Sequence, residues 1–366
     1  MTLVRIVADD LTGALDAAAP LVGLAGPLPV YWDARAAIEA RASYALDSES
    51  RHVPAPVQWF DALCGADLAF KKIDSLLRGR TVDEVGACLQ SGRFASAVIA
   101  PAFPAQQRIT RGGRQYWRPA SPTAWRPVEV DLMMELRRRG LPVSHAPSAD
   151  EVAGRGFFLC DAATEDDLAG IVRAGRALSA PLLWIGTAGL ARSLAGSATA
   201  TPDAALETPL LLVIGSHHPV TLAQLEQLAA QVPEAAMTVR LDSRDLATVV
   251  EALGAALAAR GRAALVFALP DGTGAAVAGP LFDRGMALAI EQLEPPRSLV
   301  VTGGATLFRL VRALGARSLL VTGELMPGIA VAQLEDGRWP GATVLSKSGA
   351  FGAPDLLVRW WQLAQS

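Results

Sequence analysis

Short apolar runs alternate along this chain with stretches in which apolar residues recur every three or four positions. The first pattern fits strands buried on both faces, and the second fits helices laid against a sheet. In the first half, Leu3–Ala8, Leu28–Trp32, Tyr44–Leu46, Leu68–Lys71, Ala97–Ala100, Gly156–Cys160 and Leu182–Ile185 predict strands. Helical spacing occupies Gly13–Gly23, Val82–Gln90, Val128–Arg139, Glu165–Ala177 and Leu190–Ala195. The stretch Pro101–Pro127, rich in Pro, Gly and Arg, reads as a long irregular loop of the kind that often binds ligands. The second half repeats the alternation, with strands at Leu210–Ile214, Met237–Leu241, Ala263–Ala268 and Ser298–Thr302. Its helices fall at Leu222–Gln231, Leu246–Arg260, Pro280–Leu293 and Thr306–Leu314, and Leu334–Trp339, Thr343–Leu345 and Leu356–Gln365 close the chain. Such alternation predicts an α/β fold.

At 366 residues the chain suits two domains. Residues 196–209 are small, polar and punctuated by proline, and read as a linker. The expected division is 1–198 and 207–366, with 198–207 between them as the natural hinge. A hydrophobic content of 51% with 19% charged residues describes a soluble globular protein. The net charge of −3 gives no global attraction to nucleic acid or anionic membrane, so an acidic ligand must be gripped by local cations. Cys64, Cys88 and Cys160 are widely spaced and form no CxxC, as expected of reduced cysteines in a cytoplasmic protein. Neither a signal peptide nor a membrane span is predicted. A homodimer is compatible with a chain of this class, which carries no interface signal of its own.

Charge usage narrows the picture further. Thirty of the cationic residues are arginine and three are lysine, confined to Lys71-Lys72 and Lys347. A compact ammonium suits phosphate or carboxylate oxygens differently from a planar guanidinium. In Ala8-Asp9-Asp10-Leu11-Thr12-Gly13 a strand delivers two carboxylates and a turn into a helix. Ligands of open α/β sheets bind at that edge. Asp9 and Asp10 can bind hydroxyls, accept a proton or cap the helix, and Thr12 and Gly13 can offer donors at its start. In Lys71–Arg80, Lys72, Asp74, Ser75 and Arg78 cluster where the strand Leu68–Lys71 ends, a combination suited to an anionic polyhydroxylated ligand. Arg51, in Ala45–Arg51, can clamp a carboxylate or sit in a surface charge cluster. Arg108, Arg111 and Arg114 can cover an anion or belong to a hairpin.

The second half carries glycine turns after strands instead. These are Gly215-Ser216, Gly303-Gly304 before Thr306, and Gly349 beside Lys347. Backbone N–H groups at such turns favour phosphate, and together they make a case for a nucleotide. No GxxxxGK[ST] or GxGxxG is present. His217 and His218 are adjacent on a loop and lack zinc-ligand spacing; the following helix is expected to be capped near Thr221.

Taken in order, eight motifs resemble the four-carbon acid sugar kinase family over nearly the full chain. They are ADDLTGALD, KKIDSLLRGR, PAFP, GTAGLA, GSHHPVT, TGGAT, GELMPG and KSGAFG. The resemblance implies a sugar-acid-binding N-terminal domain, a nucleotide-binding C-terminal domain and an active-site cleft between them. It implies phosphorylation of the terminal hydroxyl of D-threonate, D- or L-erythronate or a 3-oxo-tetronate, with ATP and Mg²⁺. By position, Asp9, Asp10, Arg51, Lys72, Asp74 and Arg78 match the sugar-acid side, with Asp10 or Asp74 as the proton acceptor. Ser216, Gly303, Gly304, Thr306 and Gly349 match the ATP side, with Lys347 assisting, and no residue is assigned to a metal. The chain departs from the pattern at Ala305, where family members carry an acid, and at Leu76, where they carry Thr. Those departures leave open an altered sugar-acid-binding or regulatory relative, or a kinase for a different small hydroxy acid. A dehydrogenase would need the dinucleotide fingerprint that is missing.

Overall fold

The apolar run Val4–Ala8 (β1) leads directly into the helix Leu11–Ala25 (α1). The Asp10 side chain caps that helix by accepting the Gly13 N–H, and Gly26 ends it at φ 80°. A computed structural model of the chain describes all residues except 40–41, 52–57, 120–123, 201–205, 241–245, 269–274 and 365–366. It divides into two units, Met1–Thr201 with Val321–Pro327, and Pro202–Leu320 with Gly328–Ser366.

In the first unit β1 is joined by Leu28–Tyr31 (β2), Tyr44–Asp47 (β3), Leu68–Lys72 (β4) and Ser96–Ala100 (β5). Arg108–Arg111 (β6), Arg114–Trp117 (β7) and Arg126–Pro127 (β8) form a separate small antiparallel sheet. Val143–Ala146 (β9), Phe157–Cys160 (β10) and Leu182–Gly186 (β11) complete the main sheet. Its order is β2-β3-β1-β4-β11-β5-β10-β9, parallel throughout. Helices Ala34–Glu39 (α2), Gln58–Asp61 (α3), Thr81–Gln90 (α4), Leu132–Arg138 (α5), Glu165–Arg176 (α6) and Ala188–Ala195 (α7) connect the strands. β1 lies between β3 and β4, so the order switches direction there and opens a crevice at the carboxyl ends of these strands.

The second unit repeats the plan with Leu210–Ile214 (β12), Ala236–Arg240 (β13), Arg262–Ala268 (β14) and Ser298–Thr302 (β15). Ser318–Met326 (β16), whose last residues belong to the first unit, is followed by Ile329–Leu334 (β17) and Thr343–Lys347 (β18). The order β13-β14-β12-β15-β18 is parallel, and β17 pairs antiparallel with β18. Pro219–Gln231 (α8), Leu246–Arg260 (α9), Ala275–Gln292 (α10), Gly304–Ala313 (α11) and Leu356–Leu363 (α12) are its helices. Here β12 and β15 flank the switch point.

The structure corrects the sequence reading in several places. The expected irregular loop 101–127 contains the hairpin β6–β7, in which Arg111 pairs with Arg114 across Gly112-Gly113. Both glycines have positive φ, 61° and 72°, which a tight hairpin turn requires. Buried Ile109, Thr110 and Gln115 anchor it. Helix α5 starts at Leu132 rather than Val128, because Asp131 caps it by accepting the Met134 N–H. Strand β17 ends at Leu334, where an element was expected to begin, and Asp336–Trp339 is a bend. Helix α8 is capped by His218, whose Nδ1 accepts the Val220 N–H at 3.2 Å, and not near Thr221. Residues 201–205 of the expected linker lie outside the described residues.

Candidate active site

In the first unit the ends of β1, β3 and β4 bring together the acids and cations that the sequence singled out. Asp9 and Asp10 follow β1, Arg51 lies in the loop after β3, and Lys72 ends β4 with Asp74 two residues beyond. Arg51 forks across the pair: its Nε donates to Asp9 Oδ2 at 2.9 Å and its Nη1 to Asp10 Oδ2 at 2.6 Å. Its Nη2 lies 3.7 Å from Asp74 Oδ1. Arg78 grips the same Asp74 from the other side, Nε to Oδ2 at 2.9 Å and Nη2 to Oδ1 at 2.6 Å. The backbone N–H groups of Leu76 and Arg78 also donate to Asp74 Oδ2, each at 3.1 Å.

These contacts separate the three carboxylates electrostatically. Burial pushes Asp74 upward, but the hydrogen bonds and charge of Arg78, with Arg51 and Lys72, outweigh it and hold the carboxyl well below its usual range. Burial likewise raises Asp9, and Arg51, Lys72 and Lys71 together bring it below the ordinary value. Asp10 ends above its ordinary value, because burial and the neighbouring Asp9 prevail over Arg51 and Lys72. Of the three, Asp10 is the most basic and, at 22% side-chain exposure, more open than Asp9 or Asp74. Asp9 Oδ1 is buried and has no hydrogen-bond partner among the described residues. Such an acceptor calls for a donor from a ligand.

Lys71 and Lys72 illustrate the two faces of a strand. Lys71 is buried in an ion pair with Glu84 of α4 at 2.7 Å. Lys72 Nζ donates to the Ile73 carbonyl at 3.0 Å, its single hydrogen bond among the described residues. An ammonium has three donors, so two remain for a ligand. Arg51 and Arg78, matched to the sugar-acid side from sequence, are engaged by aspartates. Asp47, at the end of β3, joins the same crevice and is pushed up to about 8 by burial. Arg108, on β6, is close enough to feel Asp74 and Arg78, and burial brings it down to about 10.

In the second unit the ends of the adjacent strands β12, β15 and β18 carry Gly215-Ser216, Gly303 and Gly349. Gly303 has φ 100° and precedes α11, leaving the N–H groups of the first turn to face a ligand. A Cβ on Gly349 would stand 2.0 Å from Ser216 Oγ, and one on Gly215 would stand 2.5 Å from Thr306 Oγ1. One on Gly303 would lie 3.1 Å from Thr306 Oγ1 and 3.3 Å from Ser216 Cβ. The three turns are thus packed against one another, and a side chain on any of them would crowd Ser216 or Thr306. Lys347 Nζ is buried against the carbonyls of Ser348 and Phe351, at 3.1 and 3.0 Å, and burial pushes its ammonium down to about 8. Thr221, the expected cap, instead donates to the Gly349 carbonyl at 2.9 Å. Ala305, on the first turn of α11, is exposed and brings no carboxylate to it.

Two charged residues of the first unit escaped assignment from sequence. Glu324, buried in the Val321–Pro327 segment, is paired with Arg192 of α7. Asp16 is buried within α1. Both lie inside motifs quoted above, and Asp16 follows Gly13 at helical spacing.

Comparisons with known proteins match two family models to the chain. A family model described as a sugar-binding N-terminal domain matches residues 4–133, and one described as a nucleotide-binding C-terminal domain matches 211–357. A D-threonate kinase of Cupriavidus necator is 28% identical, covering 98% of this chain and 97% of that protein. A D-threonate kinase of Salmonella typhimurium is 26% identical with 96% of both covered, and a 3-oxo-tetronate kinase of Cupriavidus necator is 27% identical with 96% and 95% covered. Among solved structures, a Salmonella typhimurium LT2 protein superposes with a TM-score of 0.76 at 20% identity, with 99% of both chains covered. A Haemophilus influenzae protein superposes at 0.67 and 19%, with 98% and 99% covered, which shows the shared fold. The chain belongs to the four-carbon acid sugar kinase family, and is an ATP-dependent kinase with a sugar-binding N-terminal and a nucleotide-binding C-terminal domain.

Proposed function

We propose that this kinase phosphorylates the terminal hydroxyl of a four-carbon sugar acid, with D-threonate the first candidate among threonate, erythronate and 3-oxo-tetronate. The observation that carries the reading is the crevice at β1, β3 and β4. There a buried ammonium with donors to spare stands among carboxylates that suit hydroxyl groups. Lys72 takes the substrate carboxylate, because the guanidinium forks of Arg51 and Arg78 are occupied in ordering the aspartates. Asp9, through its unpartnered Oδ1, and Asp74 bind substrate hydroxyls. Three relatives of this chain bear the name D-threonate kinase, which supports that acid over its isomers.

Phosphoryl transfer depends mainly on alignment and on neutralising charge at the transferring group. The terminal hydroxyl oxygen attacks the γ-phosphorus, its proton passes to Asp10, and ADP leaves. Asp10 suits that role because it is held above its ordinary value, whereas the arginines hold Asp74 below. Ser216, Gly303, Gly304, Thr306 and Gly349 form the phosphate cradle, with Lys347 behind it. Mg²⁺, when it accompanies the nucleotide, neutralises phosphate charge. Among the described residues no group of three or more His, Cys, Asp or Glu is placed to cage it.

The test is turnover of Asp10→Asn and Asp74→Asn. Asp10→Asn is expected to lower kcat by about 10²–10⁴-fold. Asp74→Asn is expected to raise KM for the sugar acid by releasing Arg78. Full turnover by both variants would remove the assignment.

A further inference from the structure

Helix α8 begins after the Gly215-Ser216 turn and carries two buried polar side chains that the mechanism above does not use. Thr221 and Gln224 are three residues apart, so they share one face of the helix, and both are 0% exposed. That face meets the loop that follows β18. Thr221 Oγ1 donates to the Gly349 carbonyl at 2.9 Å. Gln224 Nε2 donates to the carbonyls of Phe351 and Ala353, at 3.1 and 2.9 Å. Alternate carbonyls of the loop, at 349, 351 and 353, are thus tied to one helix.

The Phe351 carbonyl is shared. It also accepts from Lys347 Nζ at 3.0 Å, and the Ser348 carbonyl accepts from the same ammonium at 3.1 Å. Gln224 and Lys347 therefore meet on a single oxygen. An ammonium has three donors, and with two spent on these carbonyls one remains for a phosphate oxygen. A trans peptide unit points its N–H opposite its C=O. Fixing the carbonyls of Gly349 and Phe351 against α8 therefore also turns the N–H groups of Ala350 and Gly352 away from that helix.

Packing does not account for a glutamine here. Its Oε1 is buried with no hydrogen-bond partner among the described residues, a cost that Met or Leu would avoid. What those residues lack is the pair of N–H donors that meet the loop.

We propose that Thr221 and Gln224 are positioning residues for the nucleotide, setting the 349–353 loop and, through the Phe351 carbonyl, the Lys347 ammonium where the phosphates bind. Neither side chain touches the nucleotide. Holding the loop before the nucleotide arrives spares ATP binding the entropy of ordering it. This inference rests on the reading of Gly349 and Lys347 as part of the nucleotide site.

The experiment measures Kd for ATP by calorimetric titration of the full-length protein. KM for D-threonate reads the other domain, and thermal melting checks the fold. Gln224→Met is expected to raise Kd for ATP about tenfold. Thr221→Val keeps the shape and loses the donor, and should raise it about fivefold; Thr221→Ser keeps the donor and should stay within about twofold of the parent. KM for D-threonate should hold at the parental value throughout. In a Lys347→Met background, Gln224→Met should add about threefold or less. Parental Kd in both Gln224→Met and Thr221→Val would overturn the proposal. So would equal losses from Val and Ser at 221, an equal rise in KM for D-threonate, or a Gln224→Met loss that multiplies in full with that of Lys347→Met. If Lys347→Met and Gly349→Ala both leave Kd for ATP unchanged, the nucleotide reading itself fails. If those two raise it and Gln224→Met does not, only the role of Gln224 and Thr221 falls.

Discussion

Replacing Gly349 by alanine tests the nucleotide half at a single atom. Gly349 does not have the left-handed backbone that excludes other residues, so the backbone accepts alanine and the effect is steric. The new Cβ would stand 2.0 Å from Ser216 Oγ, 3.0 Å from Ser216 Cβ and 3.3 Å from His218 Cβ. The hydroxyl can swing away by rotation, but Ser216 Cβ cannot, so the turn must open by a few tenths of an ångström. Overpacking of this kind costs about 1–3 kcal/mol, and the rotatable hydroxyl places this case near the lower end. At about 2–4 °C per kcal/mol for domains of 150–250 residues, melting should fall by only a few degrees. Binding should suffer more, because the space filled is the proposed phosphate cradle and Ser216 is turned out of it. A loss of about 1.4 kcal/mol or more corresponds to at least about tenfold in Kd for ATP. Calorimetric titration with ATP measures it, with KM for the sugar acid expected to be unchanged. Gly156→Ala is the control, since its Cβ would meet only Phe158 at an ordinary 3.5 Å. An unchanged Kd for ATP in folded Gly349→Ala would refute the placement of the phosphates.

Other perturbations test separate links. Arg51→Lys keeps one charge but loses the fork across Asp9 and Asp10; steady-state kinetics should show kcat/KM for the sugar acid falling about a hundredfold through misplaced carboxylates. Glu84→Gln leaves the Lys71 ammonium buried and unpaired, and urea unfolding should report a loss of about 3–5 kcal/mol. Lys347 is charged below about 8 and neutral above it, so ATP affinity should fall as pH rises through that value. Lys347→Met should remove that pH dependence in calorimetric titrations.

Much of the acid-and-lysine crevice was legible in the sequence because its members follow strand ends within a few residues. Asp9-Asp10 after β1 and Lys72 to Asp74 after β4 needed only the rule that ligands bind at the carboxyl edge of a parallel sheet. Their division of labour was not legible. Arg78 is taken up by Asp74 only four residues away, a local turn contact that residue types alone did not announce, and Lys71 is taken up by Glu84 of α4, a partner that the fold brings in. Glu324 was hidden for the same reason, since it is distant in sequence from Arg192, to which it is paired. The hairpin β6–β7 was one of two readings open for Arg108, Arg111 and Arg114, and the antiparallel pairing of Arg111 with Arg114 across Gly112-Gly113 decides for it.

The most direct measurement of the central claim is ATP consumption by the purified protein with Mg²⁺ against D- and L-threonate, D- and L-erythronate and 3-oxo-tetronates. The account predicts turnover with a member of this panel, D-threonate first, yielding ADP and an acid phosphorylated on its terminal hydroxyl. A folded protein that consumes no ATP with any of them would contradict the proposed substrate class, and would turn attention to Ala305 and a different hydroxy acid.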